Sequence, residues 1–129
     1  MITEVKTKVC AGRLKDGTSL LRSSSGGAFI AISDCFLDND NAVACAVYNY
    51  EDHATEFQLI ENREERDKAI GSKYMQSKPG KIYKTVEDWL INHPEKRLLF
   101  VGMGCQADGF RKFAETKGFR ERVWIVDII

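Results

Sequence analysis

The sequence predicts an α/β fold, a mixed β-sheet flanked by helices with a C-terminal βαβ unit. Three observations support this prediction. Residues 98–129 follow the order strand, helix, strand, and residues 42–60 contain two apolar segments on either side of a short polar loop. Several of the other segments carry apolar side chains at helical spacing. A chain of 129 residues suits one hydrophobic core, so we expect a single domain over residues 1–129.

The N-terminal third is predicted to contain an edge strand and a helix. Residues 5–11 alternate apolar and polar side chains, which is typical of a half-exposed strand, and residues 15–17 then supply a turn. Apolar side chains recur at helical spacing from Phe29 to Leu37, until the polar residues 38–41 stop the helix. We expect a serine just before this helix to cap its N-terminus.

The middle of the chain is predicted to form a hairpin, a helix and a loop. Residues 42–50 and 56–60 both fit strands, and a short polar loop joins them. Residues 62–70 form a charged helical run, and Gly71 is a natural stop for it. Residues 71–80 are polar and turn-rich without periodicity, so we expect a loop there.

The last third has the clearest predicted topology. An amphipathic helix ends before Pro94, and an apolar strand follows at residues 98–101. A second helix stops at Gly118 and leads to a final strand at residues 123–129. The apolar faces of the two helices comprise Ile82, Val86, Trp89 and Leu90, and Ala107, Phe110, Phe113 and Ala114. Such a unit is right-handed and binds ligands at the carboxyl ends of its parallel strands, which here means residues 102–106.

Charge and hydropathy argue against several classes of function. The chain has 19 basic and 19 acidic residues, so it lacks the uncompensated positive charge that attracts nucleic acid. No apolar run approaches the roughly 20 residues that span a bilayer, and the first residues lack the order of a signal peptide. We therefore expect a cytoplasmic protein with no nucleic-acid or membrane partner.

The spacing of the cysteines and histidines does not predict a complete metal site. The cysteines are Cys10, Cys35, Cys45 and Cys105. Cys35 and Cys45 fit the pattern of buried apolar fillers, whereas His53 and His93 lie among polar or turn residues and are predicted to be solvated. Cys105 lies at the start of a predicted helix, where the helix dipole favours a thiolate, so it is a candidate nucleophile or metal ligand.

Residues 22–27, here called the serine loop, have the composition of an anion site. Hydroxyl groups and two glycines precede a helix, which leaves backbone N–H groups for a phosphate, and Arg22 adds positive charge. The same residues also suit a plain flexible turn with a helix cap. The segment fits neither the Walker pattern nor the dinucleotide fingerprint.

Residues 71–77, here called the lysine loop, combine a cation, a phenol, an amide and two hydroxyls. These groups are enough to bind a polar cofactor, and an exposed linker is the alternative interpretation. Asp127 lies near the end of the final apolar strand, where a structural hydrogen bond and a ligand contact are both open.

Three motifs in order resemble those of the beta-subunit family of coenzyme F-420 hydrogenases and dehydrogenases. They are Arg-x-Ser-Ser-Gly-Gly at 22–27, Gly-Ser-Lys-Tyr-x-Gln-Ser at 71–77 and Gly-x-x-Cys-Gln at 102–106. The similarity extends over roughly residues 8–129, and the middle motif is the most specific. Members of the family are flavoproteins with iron–sulfur clusters, which pass electrons between FAD, ferredoxin-like centres and a deazaflavin or another acceptor.

The resemblance implies a flavin-dependent redox module and assigns roles to particular residues. Lys73 and Cys105 are the implied catalytic residues, and Cys105 is also the one implied metal ligand, in an incomplete site. A lysine near the flavin ring stabilises its reduced anion electrostatically. The implied cofactor-binding residues are Arg22, Ser24, Ser25, Gly26, Gly27, Ser72, Lys73, Tyr74, Gln76, Ser77 and Gln106.

The sequence departs from the family pattern in two ways. The usual Gly-Thr-Pro-Cys-Gln is Gly-Met-Gly-Cys-Gln at residues 102–106, which removes a hydroxyl and a rigid proline. Family sequences also continue past the final strand into a region with further cysteines. The resemblance thus implies a module truncated to the N-terminal part of the family's flavin-binding subunit, with deazaflavin and iron–sulfur chemistry in a full-length context.

The partners expected from this resemblance are a redox subunit or a ferredoxin-like protein. A homo-oligomer that pairs the final strand and covers Trp124 is a further expectation, since an uncovered apolar edge invites pairing. Two other functions stay open. One is a non-catalytic binding module that keeps the fold without redox chemistry, and the other is a thiol enzyme that uses Cys105.

Overall fold

The computed structural model describes residues 7–129 and contains a five-stranded sheet of order β3-β2-β1-β4-β5. The strands are β1 (Ala42–Asn49), β2 (Ala54–Ile60), β3 (Ser77–Lys78), β4 (Leu98–Met103) and β5 (Val123–Ile128). The helices are α1 (Gly17–Arg22), α2 (Ala28–Leu37), α3 (Arg63–Asp67), α4 (Ile82–Asn92) and α5 (Gly104–Thr116), with a 3-10 turn at Arg120–Arg122. The predicted α/β fold is confirmed.

The sheet is mixed because a hairpin joins a parallel unit. β1 pairs antiparallel with β2, as predicted, with Asn49 opposite Ala54 beside the turn. β1 also pairs parallel with β4, beginning with Ala42 opposite Leu98. β5 lies parallel to β4, and α5 connects the two strands, so the predicted βαβ unit is confirmed.

Helices bury both faces of the sheet. On one face α4 and α5 pack against a core in which the ring of Phe100 stacks between Phe57 and Phe110, with centroids 5.2 Å and 4.1 Å away. On the other face α2 and the residues after α3 cover a second cluster that includes Cys45 and Leu99. The buried faces predicted for α4 and α5 are confirmed, except that Phe113 is partly exposed.

The predicted ends of the two long C-terminal helices are also confirmed. α4 ends at Asn92, two residues before Pro94. After α5, Gly118 adopts a φ of 77°, and the Phe119 N–H donates to the Ala114 carbonyl at 2.8 Å. A positive φ is easy for glycine, which lets the chain reverse there and satisfy the last helical carbonyls.

The N-terminal predictions are wrong in two places. Residues 7–11 are exposed and form no strand, while the remainder of the strand predicted at 5–11 lies outside the described residues. Their alternation buries nothing, since Val9 is 89% exposed. Gly17 begins α1 instead of completing a turn, because the Asp16 carboxylate caps the helix by accepting from the Ser19 N–H at 2.8 Å.

Three further details differ from the predictions. Gly27, with a φ of 83°, is the N-cap of α2, so no serine caps that helix. α3 ends at Asp67, because the following N–H groups donate to carbonyls three residues back and tighten the chain. The loop predicted at 71–80 contains β3, which pairs parallel with the start of β2 through Thr55 and Ser77.

The topology defines two ends of the sheet. We call the end where β1, β4 and β5 finish the carboxyl edge, and the opposite end the amino edge. After β1 the chain turns to one side, into β2, and after β4 it turns to the other side, through α5 into β5. Such a divergence leaves a crevice outside the strand ends, where α/β sheets bind ligands. No helix within residues 7–129 is long and apolar enough to cross a membrane.

Candidate functional site

The serine loop and the lysine loop meet at the carboxyl edge. The Ser72 backbone N–H donates a hydrogen bond of 2.9 Å to the Ser24 hydroxyl oxygen, across 48 positions of sequence. The topology explains the meeting. α2 runs back along β1, so its N-terminus lies where β1 ends, and β3 begins beside the first residues of β2. Residues 102–106, here called the cysteine turn, end β4 and start α5 at the same edge.

In the serine loop the two glycines make local packing contacts. A Cβ atom on Gly26 would lie 2.6 Å from the Gly12 carbonyl oxygen, and one on Gly27 would overlap the Leu14 side chain. The Leu14 N–H also donates to the Gly26 carbonyl at 2.8 Å. These contacts hold the loop against residues 12–14, whereas Ser24 and Ser25 are exposed. Their role as cofactor ligands stays a prediction.

Arg22, the cation of the serine loop, is paired within the protein. Its guanidinium lies 2.6 Å from the carboxylate of Asp67, which also pairs with Arg66 at 3.0 Å. Arg66 is 4% exposed and donates to Ser33, Asp34 and the Ile30 carbonyl of α2. A buried arginine with this many acceptors holds α3 against α2 and thereby supports the start of the lysine loop.

Lys73 is half-buried, and its ammonium group is held in place. The Nζ atom donates to the Ala69 carbonyl at 2.6 Å and to the Gly71 carbonyl at 2.9 Å. Burial lowers the pKa of Lys73 below its ordinary value. Burial raises the pKa of the Cys45 thiol to about 12, and the positive charge of Lys73 opposes this rise. The prediction that Cys45 is a buried filler is confirmed.

An open depression of about 390 Å³ lies beside the lysine loop. Five of its lining residues belong to the lysine loop, namely Gly71, Ser72, Lys73, Tyr74 and Met75. The other four are Tyr48 and Tyr50, at and just after the end of β1, and Lys68 and Ile70, which follow α3. None of these four residues belongs to a motif selected from the sequence. The rule that ligands bind beyond strand ends, applied to β1, would have pointed to the two tyrosines.

The remaining predicted residues of the lysine loop have different surroundings. Tyr74 is 97% exposed, and Gln76 is also exposed. Ser77 belongs to β3 and pairs with Thr55. The Thr55 hydroxyl is buried and has no hydrogen-bond partner among the described residues, although such a group ordinarily finds one.

The cysteine turn lies at the carboxyl edge but does not line the depression. Cys105 is exposed in the first turn of α5. The Gln106 side-chain oxygen accepts from the Met103 N–H at 3.0 Å, so this amide caps the helix. The exposed Asp127 carboxylate faces Gly104, since a Cβ atom built there would lie 3.5 Å from its Oδ2.

Two predictions about cysteine and histidine are wrong. Cys35 is exposed, because it lies on the outer side of α2. His93 is half-buried, because its ring packs 4.8 Å from that of Trp89 and its Nδ1 lies 2.8 Å from the Trp89 carbonyl oxygen. His53 is exposed, as predicted, and its Nδ1 lies 3.1 Å from the Tyr48 hydroxyl.

The residues at this edge fit a flavin nucleotide better than a metal cluster. Hydroxyls and two lysines suit phosphate groups, and tyrosine rings suit a planar ring system. An iron–sulfur cluster takes about four cysteine ligands. Within residues 7–129, no group of three or more histidine, cysteine, aspartate or glutamate side chains is placed to hold a metal ion. In the part of the chain that the structure describes, Cys105 therefore belongs to no group large enough to hold such a cluster.

Part of one chain of a solved structure has a similar fold. No protein-family model matches the chain, and no curated protein matches it. Among solved structures, the chain is similar to a chain of a xenon-derivatised F420-reducing NiFe hydrogenase complex from Methanosarcina barkeri, with a TM-score of 0.70 and 19% identity. The similarity covers 89% of this chain and 41% of that one. At this identity the likeness shows a common fold, and the chain spans less than half of its neighbour's length.

Proposed function

We propose that this chain is a redox module that holds FAD at the carboxyl edge, between the serine loop and the lysine loop. The observation that carries the proposal is the hydrogen bond from the Ser72 N–H to the Ser24 hydroxyl. It joins the two motifs with the most specific family resemblance, beside an open depression lined by polar and aromatic side chains. A fold shared with a chain of an F420-reducing hydrogenase complex supports the same proposal.

Each group at the edge has a role in this proposal. The exposed hydroxyls of Ser24 and Ser25 donate to phosphate oxygens of the cofactor, and the positive charge of Lys68 attracts them. Lys73 holds its ammonium at a fixed position by two carbonyl contacts. There the charge stabilises negative charge on a bound ring. When bound, FAD supplies the capacity to accept a hydride or electrons.

The acceptor and the partners follow from the resemblance as part of the same proposal. A deazaflavin coenzyme is the proposed acceptor of electrons or hydride. The structural neighbour comes from a multi-subunit hydrogenase complex, which supports assembly with a redox subunit or a ferredoxin-like protein. An iron–sulfur cluster is proposed only for such a partner or for a full-length context, because Cys105 belongs to no group of three or more potential ligands within the described residues.

The test is to mix the purified protein with FAD, remove free FAD by desalting, and record the visible spectrum. We expect retained flavin absorbance and a saturable titration. Lys73→Met should weaken FAD binding about tenfold, the loss of one charge-assisted contact. Lys84→Met is the matched control, because Lys84 is an exposed lysine of α4 that pairs with Asp88. A wild-type protein that retains no FAD contradicts the proposal.

A comparison of thermal unfolding shows whether Lys73→Met leaves the fold intact. Its ammonium bonds two backbone carbonyls, so the variant also removes a local structural contact. A variant that unfolds like the wild type and keeps full FAD affinity would remove Lys73 from the site. Lys68→Met then tests the second cation of the depression without disturbing those carbonyls.

The second candidate is a binding module without redox chemistry. One observation favours it, which is that the cations of both motifs already have protein partners. Arg22 pairs with Asp67, and Lys73 bonds two carbonyls. Dithionite reduction of the bound flavin, followed by addition of a deazaflavin acceptor, separates the two functions. The redox module reoxidises when the acceptor is added anaerobically, whereas the binding module does not.

A further inference from the structure

We infer that Tyr48 and Tyr50 form a stacking wall for the flat ring of the bound ligand, and that His53 positions this wall. The inference rests on the proposed function, since the ring in question is the isoalloxazine of a flavin. We call Tyr48 and Tyr50 the tyrosine wall. Both line the depression beside the lysine loop, and none of these three residues belongs to the motifs on which the family resemblance depends.

The first support is an exposed aromatic ring in the lining of the depression. Tyr50 is 80% exposed in the turn that directly follows β1. Its ring lies 4.8 Å from that of Tyr48 at an interplanar angle of 84°. The two rings therefore meet nearly at a right angle, and both belong to the lining of the depression. A planar aromatic ligand fits such a corner by stacking on one ring while the edge of the other meets it.

The second support is that the turn carrying these rings is held rigidly. The Asn49 side-chain oxygen accepts from the Glu51 N–H, and its amide donates to Asp52, both at 2.9 Å. At the far end of the turn the Nδ1 of His53 lies 3.1 Å from the Tyr48 hydroxyl. A wall that is fixed before binding loses little side-chain entropy when the ligand arrives.

The third support is the positive charge in the same depression. Lys68 and Lys73 line it together with the tyrosine wall. A stacking surface and positive charge in one depression select a flat ring that carries negative charge. A reduced flavin anion has that combination, whereas a neutral sugar or an aliphatic acid lacks the ring.

The experiment measures both the affinity and the fluorescence of bound FAD in Tyr50 variants. Tyrosine in contact with an excited flavin gives it an electron that returns at once, so the flavin emission is quenched. Tyr50→Ala should weaken FAD binding about tenfold and raise the emission of bound flavin severalfold. Tyr50→Phe should keep the affinity, because phenylalanine also stacks, yet raise the emission, because its ring is harder to oxidise.

Two other variants complete the test. His53→Ala frees the Tyr48 hydroxyl and should raise the emission of bound flavin partway toward that of Tyr50→Ala. The midpoint temperature of unfolding should change by no more than a few degrees. Trp124→Phe is the matched control, because Trp124 is a readily oxidised ring at the amino edge, outside the lining of this depression. It should change neither the emission nor the affinity.

The outcomes separate this inference from the proposed function. If the wild-type protein binds no FAD, the proposed function fails and the tyrosine wall fails with it. If FAD binds but Tyr50→Ala changes neither affinity nor emission, the flavin site stands and the tyrosine wall is wrong. If Trp124→Phe raises the emission as much as Tyr50→Ala does, the flavin lies near the amino edge and both placements are wrong.

Discussion

The carboxyl edge and the amino edge of the sheet each carry an open depression, and the two differ in what their polar groups are doing. The depression at the amino edge is the larger, at about 560 Å³ against about 390 Å³. Its two asparagine side chains bond nearby backbone groups, and its arginine packs on an aromatic ring. The Asn41 side-chain oxygen accepts from the Arg97 N–H at 2.8 Å, and the Arg97 guanidinium lies 5.1 Å from the centre of the Trp124 ring.

At the carboxyl edge, by contrast, the depression is lined by exposed aromatic and charged side chains, including those of Tyr50, Tyr74 and Lys68. The size of a depression therefore does not identify a binding site. Polar groups that the fold positions but leaves unpaired remain available for a ligand, and those that pair with each other mainly stabilise the fold.

The largest expected effect is on stability when Arg66 is removed. Arg66→Met leaves Ser33 and Asp34 without their buried partner, and loss of one partner from a buried ion pair costs about 3–5 kcal/mol. Urea unfolding measures the free energy. Arg63→Met is the control, since Arg63 pairs with Asp34 and Asp38 at an exposed position, where solvent screens the ion pairs, and its loss should cost much less. Equal losses in the two variants would contradict the framing role of Arg66.

The second effect is an alkaline loss of stability that comes from Cys45. Burial raises the pKa of this thiol from 9.0 to about 12, so between these values the folded chain keeps a proton that the unfolded chain releases. The free energy of unfolding therefore falls as pH rises through this window, by about 1.4 kcal/mol per pH unit from this group. Cys45→Ala should show a shallower fall in urea unfolding between pH 9 and pH 11.

If the free energy of unfolding fell equally with pH in the wild type and in Cys45→Ala, the Cys45 thiol would be accessible to water in the folded protein. A thiol reagent offers an independent check at neutral pH. The exposed Cys10, Cys35 and Cys105 should react in the native protein, and Cys45 should react only after unfolding.

The third effect concerns the support of the serine loop. Gly26→Ala places a Cβ atom 2.6 Å from the Gly12 carbonyl oxygen, and overpacking of this kind costs about 1–3 kcal/mol. The shift should also displace Ser24 and weaken FAD binding. Gly17→Ala is the matched control, because nothing lies within 4 Å of its added Cβ and alanine favours the helix that begins there. Equal stability and equal affinity in the two variants would contradict the close packing of Gly26.

The smallest expected effect is at the amino edge. Trp124→Phe weakens the contact with Arg97 and the edge-to-face contact with Phe36, whose ring centroid lies 5.8 Å away. Since Trp124 is 44% exposed, the loss of stability should be about 0.5–1 kcal/mol. FAD affinity should not change. A variant that loses FAD binding while it remains folded would move the site to the larger depression and reverse the comparison.

Local patterns predicted the regular elements of the C-terminal half well. Val86 and Trp89 mark an apolar face that any packing must bury, and Pro94 and Gly118 end helices through their own backbone preferences. The alternation at 5–11 was misleading, since a strand needs a neighbour with free hydrogen-bonding groups. In the described residues 7–11 it finds none.

The candidate site was predicted in part. The motifs at 22–27 and 71–77 were selected from their residues, and the contact between Ser24 and Ser72 brings them together. Tyr48 and Tyr50 were missed because, in sequence, they are the end of an apolar strand and carry no motif. Arg22 was selected for its charge, which Asp67 neutralises from a helix that is distant in sequence.

Features with local causes were predictable from the residues alone: helix ends, the hairpin, the βαβ order and the composition of the two polar loops. Which polar groups are paired and which remain free depends on tertiary contacts. The Arg22–Asp67 pair, the carbonyl contacts of Lys73 and the exposure of Tyr50 each depend on which segments meet at one edge of the sheet. The strand order sets which segments lie together at that edge. It depends on burying both faces of the sheet, to which segments from the whole chain contribute.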